Sequence, residues 1–540
     1  MAAAEERDRA AGRRRHHHQR RRRQHRARRA CARHRRHRPL GRLRHLRARG
    51  ARDGHRRAPA RGARGHDRGG PGRAGRARVT VLAPETSYEV TIPVVVVGAG
   101  AAGLCAALAA REAGAEVLVL ERDPVPRGST ALSAGLVPAA GTRWQREAGI
   151  EDTPEAFAAD ILAKAEGEPD PAEVARVTRV AGPALEWLAD AHGLRFSVIT
   201  DFRYPGHSAN RMHGLPSRSG EELVDRLREA AERAGVDILC DAWVTALHAR
   251  LDGRIAGLTL RRPDGTEDHL GCGALVLACN GYGGNKALVR QHVPALAEAL
   301  YFGHPGNQGE AVLWGEALGA AARHLSGHQG HGSVAHPAGI LITWATITEG
   351  GVQVNLEGRR FSDESHGYSE QAARVLEQPE GLAWTIFDAR IAGIARQFED
   401  FRQAEAAGAI LEADSIPALA AATHLPEAAL AETLAEVARL KAAGATDAHG
   451  RRFAGSPPLV APYRAVRVTG ALFHTQGGLV VDDAARVLRP DGSAIPNLFA
   501  AGGAACGVSG SRASGYLSGN GLLTAVALGR LAGQAAATAA

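Results

Sequence analysis

The chain has 540 residues, 44% of them hydrophobic, enough for two domains with substantial cores, which excludes a lone small binding module. Its net charge of +10 is concentrated at one end: residues 1–80 carry 29 Arg against five acids (Glu5, Glu6, Asp8, Asp53 and Asp67), so the rest sums to about −14. The six cysteines, Cys31, Cys105, Cys240, Cys272, Cys279 and Cys506, form no C-x-x-C, no metal-ligand spacing and no haem-attachment motif; they fit a reducing cytoplasm and give no reason to expect a metal.

Residues 1–78 alternate Arg, His, Ala and Gly with almost no large apolar side chains. Such a segment buries too little surface to offset the entropy of ordering it, so disorder is expected over residues 1–84. Three origins stay open. The favoured one is a wrongly assigned start in GC-rich DNA, because this mixture is what such codons yield out of frame and Val79 offers a non-ATG start. The others are a basic arm for nucleic acid or membrane and a targeting sequence. The last needs an apolar stretch that CARHRRHRPLGRLRHLRARG lacks.

The longest apolar run, Ile92 to Ala110, has the length of a membrane span, but its glycines divide it. Pro93–Val97 predicts a buried parallel strand, Gly98 to Gly103 a tight turn, Leu104–Ala113 a helix and Glu116–Leu120 the next strand. This is the opening of a doubly wound α/β domain. Gly98-x-Gly100-x-x-Gly103 brings backbone amides and a helix N-terminus to a pyrophosphate, and Glu121, 18 residues on, offers a carboxylate to ribose hydroxyls. The motif is weak alone; in this context it predicts nucleotide binding.

Gly273–Asn285 reads as another strand running into a glycine turn, and Ile495–Gly503 as one more near the end. Between them, Tyr301 to about Pro462 is richer in Trp, His and polar loops. It ends in the amphipathic helix PEAALAETLAEVARLKAAG, with Pro426 suited to its first turn. The expected division is 85–300 and 463–540 for one split domain and 301–462 for an inserted α+β cap.

At this point the chain resembles a known family. ERDPVPRGSTALSAG, LVLACNGYGGN, HQGHGS, EGRRFSDESHGY, HTQGGLVVD and IPNLFAAGGAACGVSGSRASGYLSGNGLLTAVALGRLAG together resemble the FAD-binding family of soluble fumarate reductases and 3-ketosteroid dehydrogenases, over about residues 93–535. The resemblance implies a Rossmann-like FAD-binding domain split in sequence, with an inserted substrate-capping domain. It assigns the cofactor to Gly98, Gly100, Ala101, Ala102 and Gly103; to Glu121 and Arg122; to Gly128, Ser129, Thr130, Ser133, Ala134 and Gly135; and to Val244, Ala278, Asn280 and Gly281. Gly502, Gly503, Gly519, Asn520, Gly521, Leu522 and Leu523 complete the set. Membrane-complex relatives attach FAD through a His in the segment matching GSTALSAG, where this chain has Ser129, so the expected FAD is non-covalent. No second strand, G-x-G-x-x-G, helix unit was found, so nicotinamide is not expected as the direct partner.

Carried over one position at a time, the family's catalytic His, Thr and second His match His331, Thr343 and His474. Its Glu and clamp Arg fall on Trp344 and Ile347, its proton-donating Arg on Tyr368, and its C-terminal clamp Arg near Tyr516. Ketosteroid dehydrogenases have tyrosines at the last two places, and GYLSGN looks like the 4-dehydrogenase branch, where Ser518 assists. The resemblance therefore implies Tyr368 as base beside a ketone, with Tyr516 and an amide near Gly519 polarising the carbonyl. Tyr368 needs help to ionise near pH 7, for which His366 and His331 are candidates. Plainer readings stand beside these: a loop aromatic for Tyr368, packing for Tyr516, structural hydrogen bonds for His331 and His474. His324, His328, His331 and His336 form a His-rich stretch, but in a Gly-rich loop without nearby carboxylates, so no metal is expected.

The leading expectation is an FAD-dependent dehydrogenase desaturating a cyclic ketone and passing electrons to an unidentified acceptor. The alternative is a flavin reductase or dehydrogenase of an unsaturated carboxylic acid, with Arg211, Arg218 or Arg512 replacing the lost clamp and His213 nearby. Expected partners are a small-molecule substrate and that acceptor, with no nucleic acid and no membrane span; the expected compartment is the cytoplasm. A nucleic-acid-associated protein and a flavin hydroxylase are the remaining readings.

Overall fold

The computed structural model of the protein describes residues 80–540. The expectations for the basic segment up to residue 79, its disorder and its three origins, lie outside the described residues. Residues 80–84, expected to continue that segment, belong instead with the body: Thr80–Leu82 is a strand lying parallel to Trp243–Ala249, as a Thr-Val-Leu run suits a sheet edge.

The apolar run resolves into the strand Thr91–Val97 and the helix Ala101–Glu112, so the helix begins three residues before the expected Leu104. Gly98 makes the turn, with φ +102°. Gly103 lies inside the helix, where a Cβ would stand 1.9 Å from the Gly98 carbonyl oxygen; close packing of helix on strand, rather than the turn, demands a glycine there. The next strand, Val117–Leu120, is buried throughout.

Five strands of the first sheet run parallel in the order Ala494–Ala500, Glu267–Leu277, Thr91–Val97, Val117–Leu120 and Asp237–Leu239. The long strand Glu267–Leu277 also leads an antiparallel meander with Ile255–Arg261 and Trp243–Ala249. One sheet is thus built from both sides of a long insertion. The C-terminal helix Asn520–Ala539 packs along Ala101–Glu112, so closely that a Cβ on Gly533 would lie 2.0 Å from the Ala106 carbonyl oxygen. Among the described residues this is the one helix long and apolar enough to cross a membrane; 56% of that window is buried inside the protein.

The second sheet has the order Ile340–Leu341, His328–Ala335, Tyr463–Thr475, Leu382–Asp388 and Val352–Val354. Its centre is the 13-residue strand Tyr463–Thr475, so the boundary expected after 462 falls where this strand begins; the chain rejoins the first sheet only at Arg486–Leu488. Apolar alternation fits a strand to either sheet, and the long-range pairing that chooses between them leaves no local signal. The amphipathic helix spans Glu427–Ala443, with Pro426 as the capping residue rather than in the first turn. Its Leu430, Leu434 and Val437 pack over Val352, Trp384 and Ile386.

Candidate active site

The glycine-rich segments converge from four parts of the sequence. A Cβ on Gly98 would lie 2.5 Å from the Ala278 carbonyl oxygen, one on Gly502 2.9 Å from Ala102 Cβ, and one on Gly503 2.1 Å from Asn280 Oδ1 and 3.1 Å from His474 Nε2. The Ala101 amide donates to Thr130 Oγ1 (3.0 Å), which ties the turn Gly128–Gly135 to the helix start. Within that turn Ser133 Oγ donates to the Thr130 carbonyl (2.7 Å) and accepts from the Gly135 amide (3.1 Å). The Glu121 carboxylate accepts from the amides of Ala99 (2.9 Å) and Asp123 (3.0 Å); burial raises its pKa, against those two bonds. Val244 is buried two residues after Ala242, whose amide donates to the Glu121 carbonyl. Arg122 pairs with Glu310 (3.3 Å) and the Gly306 carbonyl. Ser129 Oγ accepts from Asn307 Nδ2 (2.8 Å). Ala134 is exposed.

These residues fit a flavin dinucleotide. The N-cap residues Gly100 and Gly519 have no side chain to cap their helices, which, apart from the Ala101 amide held by Thr130, leaves first-turn amides for anionic oxygens. A Cβ on Gly521 would meet nothing nearer than 3.8 Å, and Asn520 Oδ1 is buried with no hydrogen-bond partner. Asn520 also closes a chain of bonds: its Nδ2 donates to Ser509 Oγ (2.9 Å), Ser509 Oγ to Gln476 Oε1 (2.9 Å), and Gln476 Nε2 to His474 Nδ1 (2.8 Å). That leaves the His474 proton on Nε2. Burial pushes the His474 pKa down to about 4, so the ring is a neutral donor beside Gly503 and Gly521. Leu522 and Leu523 follow in the first turn of the helix.

Beside this cradle the predicted catalytic groups meet. Tyr368 heads the helix Tyr368–Leu376, and its hydroxyl lies 2.8 Å from Ser518 Oγ. Its ring stacks on His331 (5.0 Å, 21°) and meets Tyr516 edge-on (6.4 Å, 71°). His331 in turn stacks on Phe473 and touches Trp344, which also faces Tyr368 at 6.3 Å. The Gly519 amide donates to the Tyr516 hydroxyl oxygen at 3.4 Å, leaving that O–H free to donate elsewhere. His331 Nδ1 accepts from the Ser333 amide (3.2 Å), and burial lowers its pKa to about 3. Thr343 is buried, its Oγ1 accepting from the Ala345 amide.

Burial also drives the pKa values of the two phenols up, Tyr516 to about 12 and Tyr368 well above 10, with the Ser518 hydroxyl only partly opposing this at Tyr368. One expectation is corrected here. His366 is exposed and turned to Asp363 at 3.5 Å, and His331 is neutral, so neither supplies a positive charge that would help Tyr368 ionise. Ile347 and Trp344 are both buried, Trp344 edge-on to the Tyr368 ring.

The arginines proposed as a substitute clamp are engaged elsewhere. Arg211 is buried, with Nε and Nη2 each 2.8 Å from Asp152 and Nη1 on Asp160. Arg218 faces Asp201 at 3.3 Å, and Arg512 faces Glu166 at 2.9 Å. His213 is buried with both nitrogens satisfied, by the Arg211 carbonyl (2.7 Å) and Thr142 Oγ1 (2.8 Å). The loop that contains them nevertheless does reach the site, through residues the sequence reading passed over: His207 Nε2 donates to the Ser518 carbonyl (3.0 Å), and Tyr204 is close enough to Tyr368 and Tyr516 to bias their ionisation. Tyr204 and His207 lie a few residues before Arg211 in YPGHSANRMHGLP, and neither carries a motif that marks it as part of a site.

A family model described as an FAD binding domain matches residues 93–522. A probable fumarate reductase of Shewanella frigidimarina is 31% identical over 83% of this chain and 75% of its own length. The open conformation of a flavocytochrome c3 fumarate reductase superposes with a TM-score of 0.73 at 30% identity, covering 84% of this chain and 79% of that one. The 3-ketosteroid-Δ4-(5α)-dehydrogenase of Rhodococcus jostii RHA1, in complex with 4-androstene-3,17-dione, superposes with a TM-score of 0.67 at 25% identity, covering 85% of this chain and all of that one.

Proposed function

The chain belongs to the flavoprotein family defined by this FAD binding domain and is an FAD-dependent oxidoreductase, and from that premise we propose that it desaturates a ketone, steroid-like or a smaller cyclic one, at its α and β carbons. FAD bound non-covalently in the glycine-lined cradle would supply the two-electron chemistry, as the acceptor of a hydride from the β carbon. The first sheet serves as the cofactor-binding domain and the second as the substrate cap. The observation that carries this reading is the pocket's polar set: the Tyr368–Ser518 pair at 2.8 Å, the Tyr516 hydroxyl and neutral imidazoles, while Arg211, Arg218 and Arg512 are tied to carboxylates. A neutral carbonyl suits such a pocket; a dicarboxylate entering it would lack a countercharge.

Tyr516 donates to the carbonyl oxygen, where negative charge develops as the α proton leaves. Tyr368 takes that proton, and Ser518, bonded to its hydroxyl, steadies the phenolate in the base form. His474 donates from Nε2 at the cofactor's edge. Trp344, Phe473 and Tyr368 exclude water from one side. Cys105, Cys272, Cys279 and Cys506 are free thiols, which supports a cytoplasmic setting.

A second reading, reduction of an unsaturated acid, draws on one observation: burial keeps Tyr368 protonated, which is the state of a proton donor, and the fumarate reductase similarity runs the same way. Anaerobic bleaching of the flavin by cyclohexanone and a saturated 3-ketosteroid, against succinate, separates the two. Bleaching by a ketone and not by succinate is expected; bleaching by succinate alone overturns the ketone reading.

A further inference from the structure

The loop 200–210 is fixed at its base. Ser208 donates to Asp160 from its amide (2.7 Å) and its hydroxyl (2.8 Å), and Asp160 also holds Arg211. A Cβ on Gly206 would stand 2.7 Å from Leu517 Cδ1, so the loop lies directly on the segment before the C-terminal helix. Phe202 meets Tyr204 (4.9 Å) and Phe398 of the cap (6.3 Å) edge-on.

Between these points His207 is buried, 6% exposed, beside Phe157. Its Nε2 lies 3.0 Å from the Ser518 carbonyl oxygen, and its Nδ1 is buried with no partner. A carbonyl only accepts, so the proton is on Nε2 and the ring has one bond to give. That bond falls on the residue immediately before Gly519, whose φ of +91° begins the helix. It therefore restrains the peptide whose rotation would swing the Ser518 side chain away from Tyr368.

We propose that His207 is a positioning residue: by holding the Ser518 carbonyl from an anchored loop, it keeps the Ser518 hydroxyl against Tyr368. This rests on reading Tyr368 and Ser518 as the proton-handling pair. An imidazole whose only bond is to the backbone of a reacting loop acts through geometry, and misplacement by about 1 Å costs on the order of a hundredfold in rate.

The test uses the full-length holoenzyme as wild type, His207→Ala, His207→Gln, Phe202→Ala and Tyr368→Phe. Crystal structures of the two His207 variants are expected to have Ser518 Oγ displaced from Tyr368 in the Ala form and returned in the Gln form, whose Nε2 replaces the donor. Stopped-flow flavin reduction by cyclohexanone, a saturated 3-ketosteroid and succinate is expected to lose about 10- to 100-fold in rate, with little change in half-saturation, for His207→Ala; His207→Gln recovers most of it. Phe202→Ala, on the same loop, is expected to change half-saturation instead. A His207→Ala structure with Ser518 still bonded to Tyr368, or Gln no better than Ala, overturns the proposal. An unimpaired Tyr368→Phe would instead sink the catalytic reading beneath it.

Discussion

A phenol ordinarily ionises near pH 10, and at Tyr368 burial moves it further from ionisation, the neighbouring Tyr516 adding to the effect. At neutral pH only a small fraction is phenolate, so a reaction using Tyr368 as base draws on that fraction. Flavin reduction by a saturated ketone is therefore expected to rise about tenfold per pH unit from neutrality to pH 10, with no plateau in that range. Tyr368→Phe is expected to keep its FAD, lose 10² to 10⁴ in rate, as is typical for removing an acid–base group, and show a flat profile. A rapid-mixing pH series on both proteins checks this, and a wild-type plateau below pH 8 would remove Tyr368 from the role of base. Tyr368, Tyr516, Ser518 and His474 were singled out by the resemblance of their motifs to those of the fumarate reductases and ketosteroid dehydrogenases. What surrounds them was not legible: a motif carries no record that His331 is stacked and neutral while His366, two residues from Tyr368, faces Asp363 at the surface.

The turn that delivers Tyr368 is held by a buried ionic network. Glu364 accepts from Arg360 (2.6 and 3.1 Å), Arg451 (3.0 Å) and the Gln353 amide (2.8 Å), while Asp447 pairs with Arg360. Against the cost of burial, Arg451 and Arg360 hold the Glu364 pKa below its ordinary value. A depressed folded-state pKa means stability that is present above the unfolded value, near 4.5, and is lost as pH falls through the folded one. Glu364→Gln leaves two guanidiniums facing one carboxylate, so a loss of about 3–5 kcal/mol is expected in urea unfolding at pH 7. The gap from wild type should narrow as pH drops below 4.5; an equal gap at pH 7 and pH 3 would mean Glu364 contributes packing alone. At this scale the elements themselves were readable, the parallel strands from continuous apolar runs and Glu427–Ala443 from its period. Which sheet receives Tyr463–Thr475 was not, since that depends on partners far off in the sequence, as in the pairing of His328 with Thr475, 147 residues apart; only the completed sheet reveals that the cap's central strand ends at the His474–Gln476–Ser509–Asn520 chain.

Across the whole molecule, the cofactor cradle is assembled from residues near 100, 130, 280, 474, 502 and 520, contributed by both sheets. An FAD bound there as proposed would contact the helices Ala101–Glu112 and Asn520–Ala539 and the end of the strand Tyr463–Thr475, so binding should stabilise both sheets together rather than one locally. A ligand bound only by the folded state adds RT ln(1 + [L]/Kd), about 2.7 kcal/mol at a hundredfold excess over Kd; removing FAD is thus expected to lower the melting temperature of the body in one transition and restoring it to reverse that. The same geometry bears on attachment. The resemblance implies that Ser129 stands where membrane-complex relatives carry a flavin-linking His; its hydroxyl accepts from Asn307 and the His304 amide, and a hydroxyl lacks the nucleophilic imidazole that such a linkage needs. Acid precipitation of the yellow holoenzyme should therefore leave a colourless pellet and all the FAD in the supernatant. Flavin fluorescence remaining on the washed polypeptide would require a covalent bond from a residue other than Ser129, and with it a different account of how two distant ends of the chain are held to one cofactor.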